Sequence, residues 1–87
     1  MADLEAIQEK VLKGDANGVK ELVQAGLDAG DDPQEIFFNG LIAGMKIIIT
    51  KFKNNEAYIP EVLIAARAND AGMELIKPLL EDSDYES

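Results

Sequence analysis

The most restrictive feature of the sequence is a segment from Ile36 to Phe52 that is apolar almost all the way round a helix. A helix of this kind is buried on more than one side, so other helices must surround it. Its β-branched run, Ile47 to Thr50, suits a strand by propensity, but a strand does not explain the helical stripe that leads into it. We therefore expect a central helix over residues 33–52. Its apolar residues are Ile36, Phe37, Phe38, Leu41, Ile42, Met45, Ile47, Ile48, Ile49 and Phe52.

Helix start signals on either side of this segment complete a small bundle. Asp15 stands where the N-cap of a second helix belongs, and Asp32 precedes Pro33 at the start of the central helix. Pro60 marks the first turn of a last helix, along which apolar residues recur at three-to-four spacing. The sequence thus predicts an all-α fold, a four-helix bundle in one domain. Its helices are expected at approximately 3–13, 15–29, 33–52 and 60–81.

Composition narrows the range of functions. The 87 residues include no cysteine and no histidine, which removes disulfides, thiolate ligands, the usual general base and the commonest metal ligand. Paired carboxylates such as Asp31 and Asp32 are typical of helix ends, so we expect no catalytic residues. A formal net charge of −9 repels polyanions, and we expect neither nucleic acid nor a membrane as partner. Without a signal peptide pattern, the expected location is cytoplasmic.

The order of residues from Gly14 onward resembles a known family. Gly44 and Met45 open a helical run to Phe52, and the segment EAYIPEVLIAA follows from Glu56 to Ala66. This is similar to the helical cap domain of cobalamin-binding proteins, whose pattern is approximately GM..VG..F..GE.F.PEVL.AA.AM..G. The family includes the corrinoid proteins of methanol and methylamine methyltransferase systems and the cap of cobalamin-dependent methionine synthase.

Three positions depart from the family pattern. Thr50 and Asn55 stand where the family usually has glycine, and Asn69 stands where it often has methionine. Asn adopts left-handed backbone angles more readily than other non-glycine residues, so Asn55 is expected to keep the turn. Threonine does not adopt left-handed angles as readily, so the same argument does not apply to Thr50. Asn69 is expected to make a polar contact or to lie at a helix edge.

The resemblance implies a role for the junction between the third and fourth helices. In the family, this junction presents apolar side chains to the upper face of the corrin, and the matching positions are Phe52, Ile59 and Val62. These would be the cofactor-binding residues, with no metal ligand and no catalytic residue. Tyr58 is expected to pack inside the bundle. The chain would then be the non-catalytic cap of a corrinoid methyl-carrier protein that shields the corrin during cobalamin-dependent methyl transfer.

The resemblance also implies what must lie outside this sequence. In the family, cobalamin is held mainly by a Rossmann-like domain whose Asp-x-His-x-x-Gly segment supplies the cobalt ligand, and this sequence contains no histidine. We therefore expect residues 1–82 to form the cap, and residues 83–87 an acidic tail or the start of a linker to an absent cobalamin-binding domain. That domain and a substrate-specific methyltransferase are the implied partners. These systems share the cap and differ mainly in the separate methyltransferase, so the cap pattern is the same for different methyl donors and acceptors.

The residues taken without the resemblance support a second interpretation. The central helix has more apolar surface than a small bundle needs, and this excess is typical of a cofactor-free acidic interaction module. Such a module would form a homodimer or dock a partner protein. A homodimer of the isolated domain is also expected if the cap lacks its natural cover.

Overall fold

The computed structural model of the protein describes residues 3–82, and these form four helices joined by short turns. No strand occurs in that range. The all-α four-helix prediction is confirmed, and residues 83–87, predicted to be a tail or linker, lie outside the described residues. The helices are α1, Leu4–Lys13; α2, Ala16–Asp28; α3, residues 33–53; and α4, Ile59–Asp82.

Two aspartates set the starts of α1 and α2. The Asp3 carboxylate accepts a hydrogen bond from the backbone N–H of Ala6 at 3.1 Å, and Asp15 accepts from Gly18 at 2.9 Å. Each side chain satisfies an N–H group that the first turn of a helix leaves unpaired. Both aspartates are therefore N-caps, and each helix begins one residue after the start that we predicted.

Helix α3 is continuous but not uniform. It consists of α-helical Pro33–Ile36, π-helical Phe37–Ile42 and α-helical Ala43–Lys53. The wider π segment was not predicted from the sequence. The β-branched run from Ile47 to Thr50 is helical, as predicted; Ile48 is buried against the bundle, and the other three residues of the run are exposed.

The core lies where α3 packs against α1 and α4, while α2 packs mainly against α4. Helices α1 and α3 approach closely at Gly44, because glycine has no side chain. A Cβ placed on Gly44 would lie 3.0 Å from the Cβ of Val11 and 3.3 Å from the Cα of Gln8. The Gln8 amide also donates to the Asn39 carbonyl at 2.7 Å, which joins α1 to the π segment. Buried core residues include Ile7, Val11, Val19, Val23, Ile36, Leu41, Ile48, Ala65, Ala68, Ile76 and Leu80.

The length and hydropathy of the helices in residues 3–82 determine whether any of them could cross a membrane. None of them combines the length and the apolar character needed to cross a membrane.

Candidate functional site

Exposed apolar side chains gather where α3 ends and α4 begins. Phe52 is 42% exposed, Ile59 is 61% exposed and Tyr58 is 74% exposed, all high values for large apolar side chains. They line one hollow of about 640 Å³. We call the lining of this hollow the apical surface: Phe52, Lys53, Asn55, Ala57, Tyr58, Ile59 and Pro60.

The turn after α3 positions Phe52. Asn55 has a φ angle of 64°, in the left-handed region, as predicted from its asparagine side chain. Its N–H donates to the carbonyl of Phe52 at 3.1 Å, and the N–H of Glu56 donates to the carbonyl of Lys51 at 2.7 Å. These bonds satisfy carbonyls at the end of the helix. Thr50 lies within the helix, so its backbone does not require the glycine that the family usually has there.

A second set of hydrogen bonds positions Tyr58 and Ile59. The Glu61 carboxylate accepts from the backbone N–H of Tyr58 at 2.7 Å, and the Tyr58 carbonyl accepts from the N–H groups of Glu61 and Val62. This arrangement is half of a capping box, in which an acid three residues into a helix reaches back to the N-cap. This role of Glu61 was not predicted, although the three-residue spacing from Tyr58 to Glu61 is typical of it.

The three predicted contact residues occupy two kinds of position. Phe52 and Ile59 lie together in the hollow. Val62 lies one turn beyond Ile59 on α4, is half-buried and packs against the core, and it does not line the hollow. Whether the three side chains contact a corrin stays a prediction.

The predicted packing of Tyr58 inside the bundle is wrong. Its backbone forms the N-cap of α4, where the chain turns outward, so the ring lies largely in solvent. Ala57 occupies the inward position instead and is only 5% exposed. Tyr58 therefore enlarges the apical surface with an aromatic ring and one hydroxyl group.

The apical surface suits covering better than ligation or catalysis. Its side chains are mainly aromatic and aliphatic, with one lysine and one asparagine at the edge. In the described range, no three His, Cys, Asp or Glu side chains come together as a metal site would require. Such a surface excludes water from whatever it covers and offers no strong metal ligand.

Comparison with known proteins places the chain in a family. The sequence profile of the family described as B12 binding domain matches residues 3–77, which is most of the chain. The chain belongs to the B12 binding domain family. The resemblance noted from Gly44, Met45 and the Glu56 to Ala66 segment is thereby confirmed.

Relatives in sequence and structure agree with this family. The chain is 37% identical to monomethylamine corrinoid protein 2 of Methanosarcina acetivorans over 82 residues, which is 94% of this chain and 38% of that protein. It is 41% identical over 61 residues to trimethylamine corrinoid protein 1 of the same organism, covering 70% and 28% of the two chains. The solved monomethylamine corrinoid protein of Methanosarcina barkeri matches with a TM-score of 0.83 and 30% identity, over 87% of this chain and 36% of that one. The chain thus spans about a third of the length of these relatives.

Proposed function

We propose that this protein is the cap of a corrinoid methyl-carrier protein and that the apical surface shields the upper face of the corrin. The observation that carries this proposal is the joint exposure of Phe52 and Ile59 in one hollow, in a member of the B12 binding domain family. A corrinoid covered by this surface would supply the cobalt that carries the methyl group.

The side chains at and near the apical surface contribute to shielding in different ways. The Phe52 ring and the branched Ile59 side chain exclude water, because neither has a polar atom. Val62 packs against the core and would add a contact only at its exposed edge. The Glu61 bond to the Tyr58 N–H holds the start of α4 in place, so the positions of Ile59 and Tyr58 are set before the surface is covered.

The apical surface is too small to hold a corrinoid without help. Burying one large apolar side chain stabilises a complex by about 1.5 to 3 kcal/mol, and Phe52 and Ile59 are already partly buried. Association costs about 4 to 15 kcal/mol in lost translation and rotation. These magnitudes support a separate cobalamin-binding Rossmann-like domain as the main holder of the cofactor. The second proposed partner, a substrate-specific methyltransferase, is supported by the methylamine corrinoid proteins among the relatives.

A photolysis experiment tests the shielding role. The chain is joined to the cofactor domain of the Methanosarcina barkeri monomethylamine corrinoid protein, and the loss of methylcobalamin under light is followed by absorbance. Phe52→Ala and Ile59→Ala are each expected to raise the net photolysis rate at least about threefold, because the covered face becomes open to solvent. Val62→Ala is expected to give a smaller rise.

Leu79→Ala is the matched control, since Leu79 is as exposed as Phe52 but lies near the other end of α4. This control is expected to leave the photolysis rate unchanged. Equal rates in Phe52→Ala, Ile59→Ala and Leu79→Ala would show that the apical surface does not shield the corrin.

A homodimer is the second candidate function, favoured by the high exposure of Tyr58 and Ile59. Sedimentation of the isolated chain distinguishes it from the cap. A tight dimer that Tyr58→Asp or Ile59→Asp converts to a monomer, combined with no shielding in the fused protein, would support the interaction module.

A further inference from the structure

The second half of α3 has a charge opposite to that of the rest of the molecule. The segment Ala43–Lys53 contains Lys46, Lys51 and Lys53 and no acidic residue. Removing these three positive charges from the formal net charge of −9 leaves −12 for the remainder of the chain. A positive segment in so acidic a protein is a local feature that the overall composition does not explain.

The lysines share one side of α3 with exposed isoleucines. Lys46, Thr50 and Lys53 follow one another at spacings of four and three, so they form a stripe on the helix. Ile47 and Ile49 flank this stripe and are 36% and 41% exposed. We call these five residues the outer face of α3. Part of it, with Lys51, lines a hollow of about 330 Å³.

The outer face has no partner within the described range. The opposite side of α3, which carries Gly44 and Ile48, is buried and packs against the bundle. Neither Lys46 nor Lys53 forms an ion pair with any carboxylate of residues 3–82. The Lys10 ammonium pairs instead with Asp15, on the α1 side of the molecule.

The composition of the outer face is unfavourable for an isolated surface helix. Isoleucine has a lower helix propensity than the straight-chain residues, because its branched side chain is restricted against the preceding turn. At positions 47 and 49 this cost is combined with incomplete burial of the side chains. A contact that covers the isoleucines and pairs the lysines would offset both costs.

We propose that the outer face of α3 docks a partner protein whose surface presents carboxylates around an apolar contact. Charge complementarity favours this occupant, because the lysines attract an acidic rim while the isoleucines fill its centre. A second copy paired face to face would place Lys46 and Lys53 against the same lysines, which repel. Nucleic acids and anionic membranes are negative over their whole surface, which the charge of −12 on the rest of the molecule repels, whereas a partner protein needs carboxylates only in the patch that meets the lysines.

This docking surface meets the apical surface at Lys53 but does not include Phe52 or Ile59, so a partner bound there leaves both side chains free to cover the corrin. The test takes its partner from the proposed function: the methyltransferase for monomethylamine of Methanosarcina barkeri, with the chain joined to the cofactor domain of the corrinoid protein from that organism. The dissociation constant of the two proteins is measured at about 50 and 200 mM salt, because steering by exposed charges weakens as salt rises.

The double variant Lys46→Glu/Lys53→Glu is expected to weaken binding at least about tenfold at the lower salt concentration. Ile47→Ser/Ile49→Ser is expected to weaken it at both salt concentrations. Lys20→Glu/Lys77→Glu changes the net charge by the same amount at exposed lysines on α2 and α4, and it is expected to leave the dissociation constant within about twofold. Far-ultraviolet circular dichroism melts verify that each variant folds.

Equal weakening by the two lysine pairs would overturn the proposal, since net charge alone would then explain it. Wild-type binding that is absent or independent of salt would also overturn it, as would binding to vesicles rich in anionic lipid that Lys46→Glu/Lys53→Glu abolishes. A dimer that the same variant dissociates would identify a second copy as the occupant and contradict it. Photolysis distinguishes this result from a failure of the cap role, because Ile47→Ser/Ile49→Ser, at positions outside the apical surface, keeps the photolysis rate of the wild type while Phe52→Ala raises it.

Discussion

Two helices are followed by glycines with positive φ angles. The two glycines have similar backbone conformations but different surroundings. Gly14, with φ of 73°, follows α1, and a Cβ placed there would overlap the Cγ2 of Ile64 on α4. Gly30, with φ of 89°, follows α2, and nothing lies within 4 Å of a Cβ placed there. Gly14 is therefore required for both its backbone angle and a close approach of α4, whereas Gly30 is required for its angle alone.

Substituting alanine at each glycine separates these two effects. Gly30→Ala is expected to lower the free energy of unfolding by about 1 to 2 kcal/mol, the cost of a left-handed angle for a residue with a Cβ. Gly14→Ala is expected to lower the free energy of unfolding by about 1 to 3 kcal/mol more than Gly30→Ala does, because Ile64 must also move. Urea denaturation followed by circular dichroism measures both.

Ile64→Ala in the Gly14→Ala background provides the control for the steric part of this loss. It is expected to recover stability relative to Gly14→Ala alone, because the overlapping methyl group is gone. Equal losses in Gly14→Ala and Gly30→Ala would contradict the role assigned to the Ile64 contact.

Individual residues differ in how well the sequence predicts their conformation and exposure. The left-handed turn at Asn55 was predictable because few side chains tolerate that backbone angle. The exposure of Tyr58 was not, because the choice between inward and outward positions depends on the inward packing of Ala57. Asn69 was identified as unusual, yet neither expectation describes it fully: its Oδ1 is buried without a hydrogen-bond partner among residues 3–82. Only the packed bundle reveals such an atom.

At the scale of elements, helix boundaries were predictable to within about one residue because their caps are chemically distinctive. Asp15 and Pro60 each mark a start within two residues of the observed one. The π segment Phe37–Ile42 was not predictable, because its apolar residues satisfy an α-helical pattern equally well. The hydrogen bond from Gln8 of α1 to the Asn39 carbonyl in this segment joins residues far apart in the sequence.

The N-cap of α2 also makes the stability of the folded state depend on pH. The backbone N–H of Gly18 donates to the Asp15 carboxylate and holds its pKa below the ordinary value of 3.8. Desolvation partly opposes this shift, and the hydrogen bond and charge of Lys10, whose Nζ lies 3.4 Å from the Asp15 Oδ2, add to it. A carboxyl group whose pKa is lower in the folded state stabilises that state above the unfolded pKa, and this contribution is lost as pH falls through the folded pKa.

The variant Asp15→Asn tests this dependence because asparagine also caps helices well but carries no charge. The melting temperature of the wild type is expected to exceed that of Asp15→Asn at pH 7, and the difference is expected to shrink as the pH falls below about 3.8. Thermal melts at pH 7, 4 and 2.5 measure it. Asp70→Asn, at an exposed position within α4, serves as control. A difference that is constant with pH would show that the Asp15 charge does not contribute.

At the scale of the whole molecule, the fold class and the corrinoid family were predictable, while the arrangement of its surfaces was not. The pattern around Gly44 and Pro60 is specific enough to identify the family, and the match over residues 3–77 agrees with it. Sequence position alone did not show that Phe52 and Ile59 share a hollow while Val62 packs on the core. That distinction depends on packing between helices that are distant in the sequence, which places Val62 against the core.

The small area of the apical surface predicts that shielding requires covalent attachment to the cofactor domain. A flexible linker raises the local concentration of a tethered partner to the millimolar range, which compensates for weak contacts. A fused cap is therefore expected to slow photolysis of methylcobalamin in the cofactor domain, whereas the separate chain at about 10 μM is expected to have no effect. Raising the separate chain toward about 1 mM is expected to restore part of the protection. Protection by the separate chain at micromolar concentration would contradict this account, because it would require contacts well beyond those of Phe52, Tyr58 and Ile59.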